Sequence, residues 1–173
     1  RSQPPAGEQV IVLDTIGVTL WMVFGGAVWL RLRRASASDS LATSLFGVAF
    51  SAMGVLLMTG FTCAFVLAYR APDAATARIL YDLTFGLLAM SGMPAIIALS
   101  AYAAVALSTK RLPRHTAELA ILTAAVHVLL LVSLVTPRGL LSLEGPLISV
   151  APAFLFAWIL TTGIILRHAE LDI

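Results

Sequence analysis

Residues 41–69 read LATSLFGVAFSAMGVLLMTGFTCAFVLAY, a stretch without a single charged side chain, and Arg70 closes it. About 20 mostly apolar residues are enough to cross the roughly 30 Å hydrocarbon layer of a bilayer as a helix. Lipid offers no hydrogen-bond partners, so a backbone that crosses it must satisfy its own N–H and C=O groups, as a helix does. Working outward from this stretch, four more runs have the same character. Residues 10–30 stop at Arg31, Arg33 and Arg34, and residues 83–107, with a helical lead-in from Ala74, stop at Lys110, Arg111 and Pro113. Residues 117–135 stop at Thr136 and Pro137, and residues 147–166 at Arg167. The spacing predicts an all-α, polytopic transmembrane bundle of about five spans forming one domain over residues 1–173.

Composition agrees. The chain is 60% hydrophobic and 12% charged, whereas a soluble domain carries roughly 25% charged residues to face water. The net charge of +2 does not point to nucleic acid, because the basic residues sit in short loops between apolar runs, which is the pattern of membrane orientation. Arg31, Arg33 and Arg34 follow the first span, and Lys110, Arg111 and Arg114 follow the third. The other two loops hold Arg70 with Arg78, and Arg138, each beside acidic residues. The positive-inside rule then places the N-terminus outside and the C-terminus in the cytoplasm of a bacterial plasma membrane. The first run has no basic leader and is followed by Arg-Leu-Arg-Arg, so it reads as a span and not as a cleaved signal.

Within the spans the breakers and small residues carry information. Pro94, in Ser91-Gly92-Met93-Pro94, is expected to kink the third span and free a carbonyl. Pro152 is expected to do the same near the outer end of the fifth. Gly47, Ser51 and Gly54 form a small-residue stripe that lets a neighbouring helix come close. The segment 136–146 is turn-rich with an apolar middle, suited to capping the bundle or dipping into the interface. The single cysteine, Cys63, excludes an intrachain disulfide and any Cys-x-x-Cys motif, and reads as a small hydrophobe. No pattern of a metal site, haem, nucleophile elbow or phosphate loop is present, so no cofactor or metal is expected. Trp29 alone of the three tryptophans sits where an interfacial anchor would.

Ionisable groups inside lipid are costly and therefore informative. His127 is the one near the middle of a span. Thr19 and Trp21, Ser91 and Pro94, and Pro152 to Trp158 fall at broadly similar depth, so Thr19, Ser91 and His127 form a candidate polar pocket. A histidine there serves proton transfer or polar recognition of a ligand, or else holds helices together through a hydroxyl or a freed carbonyl. A second group lies toward the outer surface: Asp14, about one turn inside the first span, and Asp82, opening the third, with Arg70, Asp73, Arg78, Arg138 and Glu144 nearby. Arg78 and Asp82 are spaced to pair on one helix face, and a carboxylate at a helix start meets the dipole favourably. These residues read either as a salt-bridge collar or as an acid–base site in which Asp14, Asp82 and His127 are the catalytic candidates.

Residues 67–86, LAYRAPDAATARILYDLTFG, with MSGMP at 90–94 and KRLPR at 110–114, resemble a group of actinobacterial polytopic membrane proteins of unknown function. Their pattern runs Ala-Arg-x-Leu-Tyr-Asp-Leu, then Leu-Ser-Gly-Phe-Pro, then a Leu-Pro-Arg turn into the next helix. The resemblance covers roughly residues 65–168 and implies no activity. It implies one further hydrophobic segment upstream, with residues 1–9 as the first outer loop. It departs from the group after the turn, where Trp-Leu-x-Trp is replaced by His115-Thr-Ala-Glu118.

Three functions fit these observations. The first is a non-enzymatic accessory subunit or interaction protein of a membrane complex, or a homo-oligomer, which suits the short loops and small-residue face. The second is an intramembrane acid–base enzyme, an isomerase or cyclase, on a hydrophobic small molecule. It requires the three candidate groups to line one cavity. The third is a small transporter or lipid-responsive sensor, weakened by the lack of an internal repeat and of a carboxylate near the midplane.

Overall fold

The computed structural model describes the backbone of residues 6–36, 40–70, 73–136, 139, 140, 142 and 147–171, and their side chains apart from 6–15, 147–149 and 168–171. The described residues form helices α1 (Ala6–Ala35), α2 (Leu41–Arg70), α3 (Ala74–Met90), α4 (Gly92–Thr109), α5 (Arg114–Val132) and α6 (Leu147–Leu171). α3 and α4 run on as one long apolar stretch, so five helical segments are long and apolar enough to cross a membrane. The protein is an all-helical bundle of the kind its hydropathy predicts.

The boundaries differ from expectation where charge and backbone geometry separate. α1 continues through Arg31, Arg33 and Arg34, because arginine ends an apolar run without ending a helix. α5 starts at Arg114, directly after Pro113, and stops at Val132 instead of 135. Its end tightens, with the amides of Ser133, Leu134, Val135 and Thr136 each bonding the carbonyl three residues back, the 3₁₀ closure common where a helix ends. α4 ends on Lys110 in the left-handed conformation (φ 55°), which turns the chain sharply into α5. α3 begins at Ala74, with Asp73 as its N-cap accepting from the amides of Ala75 and Thr76. The Thr76 hydroxyl also donates to Asp73 at 2.7 Å, and it is the main cause that holds the Asp73 carboxyl below its usual range. Most of segment 136–146, expected to cap the bundle or dip into the interface, lies outside the described residues.

α4 is the central element. Its buried residues include Ala95, Ala98, Ala101, Ala103 and Ala106, small enough for α2 and α5 to lie close on either side. Around it an aromatic cluster joins four helices. Trp158 of α6, fully buried, meets Tyr102 of α4 edge-on at 5.1 Å and Phe24 of α1 at 5.6 Å. Phe50 of α2 lies 6.5 Å from Trp158 and stacks on Phe46 at 5.4 Å. The Tyr102 hydroxyl is 2.7 Å from Thr116 Oγ1, and Thr116 spends its one proton on the Pro113 carbonyl. Tyr102 is therefore the donor, and the chain of bonds ties α4 to the start of α5.

The α1–α2 contact rests on glycine. Gly47 faces Trp29 and Gly54 faces Met22, both on α1, so two members of the expected stripe receive that helix. Ser51 lines an outward-facing hollow between the same two helices. From the other side, a Cβ at Gly25 would overlap the Phe50 ring, whereas one at Gly26 would meet nothing within 4 Å. Both basic loops lie at one end of the bundle, with Arg111 Nη1 donating to the Arg34 carbonyl at 3.2 Å. Trp29, beneath the Arg33 guanidinium at 5.1 Å, occupies the position of an anchor at that end.

Gly25→Ala should lower stability by about 1–3 kcal/mol through overpacking. Gly26→Ala should be neutral or stabilising by roughly 0.5–1 kcal/mol, since alanine orders a helix at less entropic cost. Denaturant titration of the two variants in one detergent checks the difference, and equal midpoints would mean that α1 does not approach Phe50 this closely.

Candidate functional site

The break between α3 and α4 lies at Ser91. Proline at 94 has no N–H to offer the Met90 carbonyl, and Ser91 Oγ turns back to donate to the Leu88 carbonyl at 2.6 Å. The Ala95 amide resumes helical bonding with the Ser91 carbonyl at 3.1 Å. The interruption brings Gly92 against α5, where a Cβ on it would lie 3.5 Å from the His127 carbonyl, while the Leu88 side chain lies toward Gly60 of α2.

A cavity of about 390 Å³ opens beside this break, within the size range of small-molecule sites, roughly 300–1,000 Å³. Val18 and Trp21 of α1, Met53 and Leu57 of α2, and Phe85 of α3 give it apolar walls. Pro152, Leu155 and Phe156 of α6 close another side, and Ser91 and His127 supply polar atoms. His127 is 4% exposed. Its Nδ1 lies 2.8 Å from the Thr123 carbonyl, and a carbonyl can only accept, so Nδ1 carries the proton. In the uncharged ring that leaves Nε2 as a lone-pair acceptor, and it has no protein partner among the described residues. Thr123 is itself fixed, its hydroxyl shared between the Leu119 carbonyl at 2.8 Å and the Phe154 carbonyl of α6 at 3.3 Å.

Of the pocket expected from depth, Ser91 and His127 come together, along with Trp21 and Pro152. Thr19 does not. It is exposed and lines a separate outward-facing hollow with Met22, Gly54 and Thr62, because depth in a helix fixes height and not azimuth. His127 is also farther from the middle than expected. With α5 running from Arg114 to Val132, it lies about 20 Å from the basic end, at 1.5 Å per residue.

The described candidate carboxylate does not join it. Asp82 is exposed and absent from the cavity wall. It lies two turns into α3, so the helix-start role belongs to Asp73 instead. The expected Arg78–Asp82 pair is not formed, since neither residue has a salt bridge among the described residues. With the cation N-terminal to the acid and both side chains exposed, their attraction does not offset the entropy of holding them together. The Asp14 side chain, Arg138 and Glu144 lie outside the described residues. Cys63 is half-buried and free, and no cluster of three or more potential metal ligands occurs among the described residues. Among the cavity residues that sequence reasoning passed over are Met53, Leu57 and Phe85. Each reads as generic apolar wall in a chain this hydrophobic, and nothing in their spacing sets them apart.

No protein-family model, no curated protein and no solved structure matches the chain. The actinobacterial resemblance therefore rests on its short motifs.

The hydrogen bond to Thr123 makes a definite forecast. ¹⁵N spectra of histidine-labelled protein in nanodiscs should show His127 protonated at Nδ1 and bare at Nε2. The opposite tautomer would set the Nδ1 lone pair against the Thr123 carbonyl and overturn the assignment of Nδ1 as donor.

Proposed function

We propose that this protein is a non-enzymatic, membrane-embedded binding protein that holds an apolar small molecule in the cavity beside His127. One observation carries the proposal. A hollow of about 390 Å³ with almost wholly apolar walls lies inside the bundle, and the unpartnered Nε2 belongs to a histidine on its wall. Apolar walls with a few placed polar groups are what fix a lipid-soluble ligand in one orientation. The acid–base reading keeps His127 alone among its described candidates on the cavity wall, since Asp82 is exposed and does not line it, and a catalytic group must reach the atom it protonates directly or through one water.

The setting proposed is a bacterial plasma membrane with the N-terminus outside and the C-terminus in the cytoplasm. The convergence of the Arg34 and Arg111 loops at one end supports it by the positive-inside rule. The cavity then occupies the outer half of the bundle. A role as accessory subunit remains compatible with this reading, with the ligand as the signal or structural lipid of a larger complex.

Gly17 gives the test. It lines the cavity, and a Cβ there meets nothing within 4 Å, so Gly17→Phe should fill the space without displacing a neighbour. Protein purified in nanodiscs from its native host should carry an apolar small molecule detectable by mass spectrometry, and the variant, still folded by circular dichroism, should lose at least ten-fold of it. A stoichiometric protein partner with no small molecule on either form would replace this reading with that of an accessory subunit alone.

A further inference from the structure

The polar groups of the cavity select among apolar ligands, and we infer that the cavity takes an uncharged long-chain alcohol, aliphatic, isoprenoid or phenolic, whose hydroxyl donates to His127 Nε2. This inference rests on the reading of the cavity as a ligand site and adds the chemistry of the ligand's head.

Two polar side chains are buried at the wall, and both have already spent their protons. His127 gives its N–H to the Thr123 carbonyl, and Ser91 gives its O–H to the Leu88 carbonyl. What each turns to a ligand is a lone pair. An ester, ketone or ether head would set lone pair against lone pair and leave buried acceptors unsatisfied, which costs more than the average hydrogen bond contributes. An ammonium head would donate, but it would bring an unpaired charge into apolar surroundings, because no carboxylate is on the described wall. A fatty acid would bring the opposite charge for the same penalty. A neutral hydroxyl donates one proton and carries no charge, and so matches both requirements. Trp21 also lines the cavity, as part of the α1–α6 wall, and carries an indole N–H. An ester or ether could accept from it but would still leave His127 Nε2 unsatisfied, whereas a hydroxyl can accept there and donate to His127.

That wall also indicates where the chain of the alcohol runs. α1 and α6 touch sparsely, and at the level of the cavity Trp21 and Phe156 bridge them edge-to-face, with centroids 4.6 Å apart. Phe156 is both a lining residue and 46% exposed, so it is shared between the cavity and the lipid-facing surface. An acyl or isoprenoid tail lying past this aromatic pair would leave the hydroxyl at His127 and the tail in the bilayer.

The experiment uses the whole protein in phosphatidylcholine nanodiscs and two probes, hexadecanol carrying a mid-chain diazirine and its O-methyl ether. The two differ by one donated proton. On irradiation the alcohol should label peptides of α1 and α6 around Trp21 and Phe156, competed by plain hexadecanol, and the ether should label them at least ten-fold less. His127→Phe should bring the alcohol down to the level of the ether, and Ser91→Ala should narrow the gap by a smaller factor. The comparison of probes on the wild-type protein needs no variant to fold. Equal, competable labelling by both probes would overturn the alcohol assignment and leave the cavity as a ligand site. Absence of competable labelling at the cavity by either probe would overturn both readings.

Discussion

Within a bilayer the tails around a helix are as apolar as its own side chains, so burial from water does not drive one span against another. What remains is close contact, and in this bundle close contact is made by removing side chain. α4 presents alanines to α2 and α5, and α1 and α2 exchange glycines for ring faces: Gly25 beneath Phe50, Gly47 beneath Trp29. Into the space so defined α6 inserts Trp158, the largest fully buried side chain. Its contacts with Phe24, Phe50 and Tyr102 unite four helices at one level. The packing is tight enough that the indole Nε1 of Trp158 is buried with no partner among the described residues. Ring contact holds it there against that cost.

The cavity is the complement of this packing. Toward the basic end the aromatic cluster fills the space between α1, α2, α4 and α6. Toward the other end the α3–α4 break turns the chain at Ser91, α1 and α6 meet through the rings of Trp21 and Phe156, and a ligand-sized hollow is left beside them. One proline at position 94 is sufficient cause for the turn, since it removes a backbone donor where lipid can supply no substitute. The same lack of water governs the hydroxyls. Thr59, Thr62, Thr84 and Thr109 each donate to the carbonyl four residues back on their own helix, which leaves few polar atoms available between helices. His127 and Ser91 follow that habit with their protons and so offer acceptors to the cavity.

The proposed role in recognition follows from the make-up of the described wall. Acid–base chemistry at a single carbon needs two groups with different proton affinities in reach of it, and the described wall carries one titratable side chain. A single oriented acceptor in an apolar pocket instead favours one head group over another, which is the property of a carrier, a sensor or a lipid-stabilised subunit.

The sequence by itself determined the all-helical class and the five segments long and apolar enough to cross a membrane, because the cost of exposing an unpaired backbone to lipid is so large that 20-residue apolar runs have few alternatives. It also singled out Pro94, beside the observed α3–α4 break, and His127, since a missing N–H and an imidazole in an apolar run are properties of one residue each. Which way a residue faces around its helix was settled only by packing. A chain that is apolar on all sides carries little amphipathic signal to orient its helices, and so Thr19, at the right depth, turned to another face while the unremarkable Met53 came to the cavity. The fate of Asp82 was likewise a tertiary matter: the start of α3 moved to the Asp73 cap, and the carboxylate two turns later was left on an exposed face, away from the histidine it was expected to join.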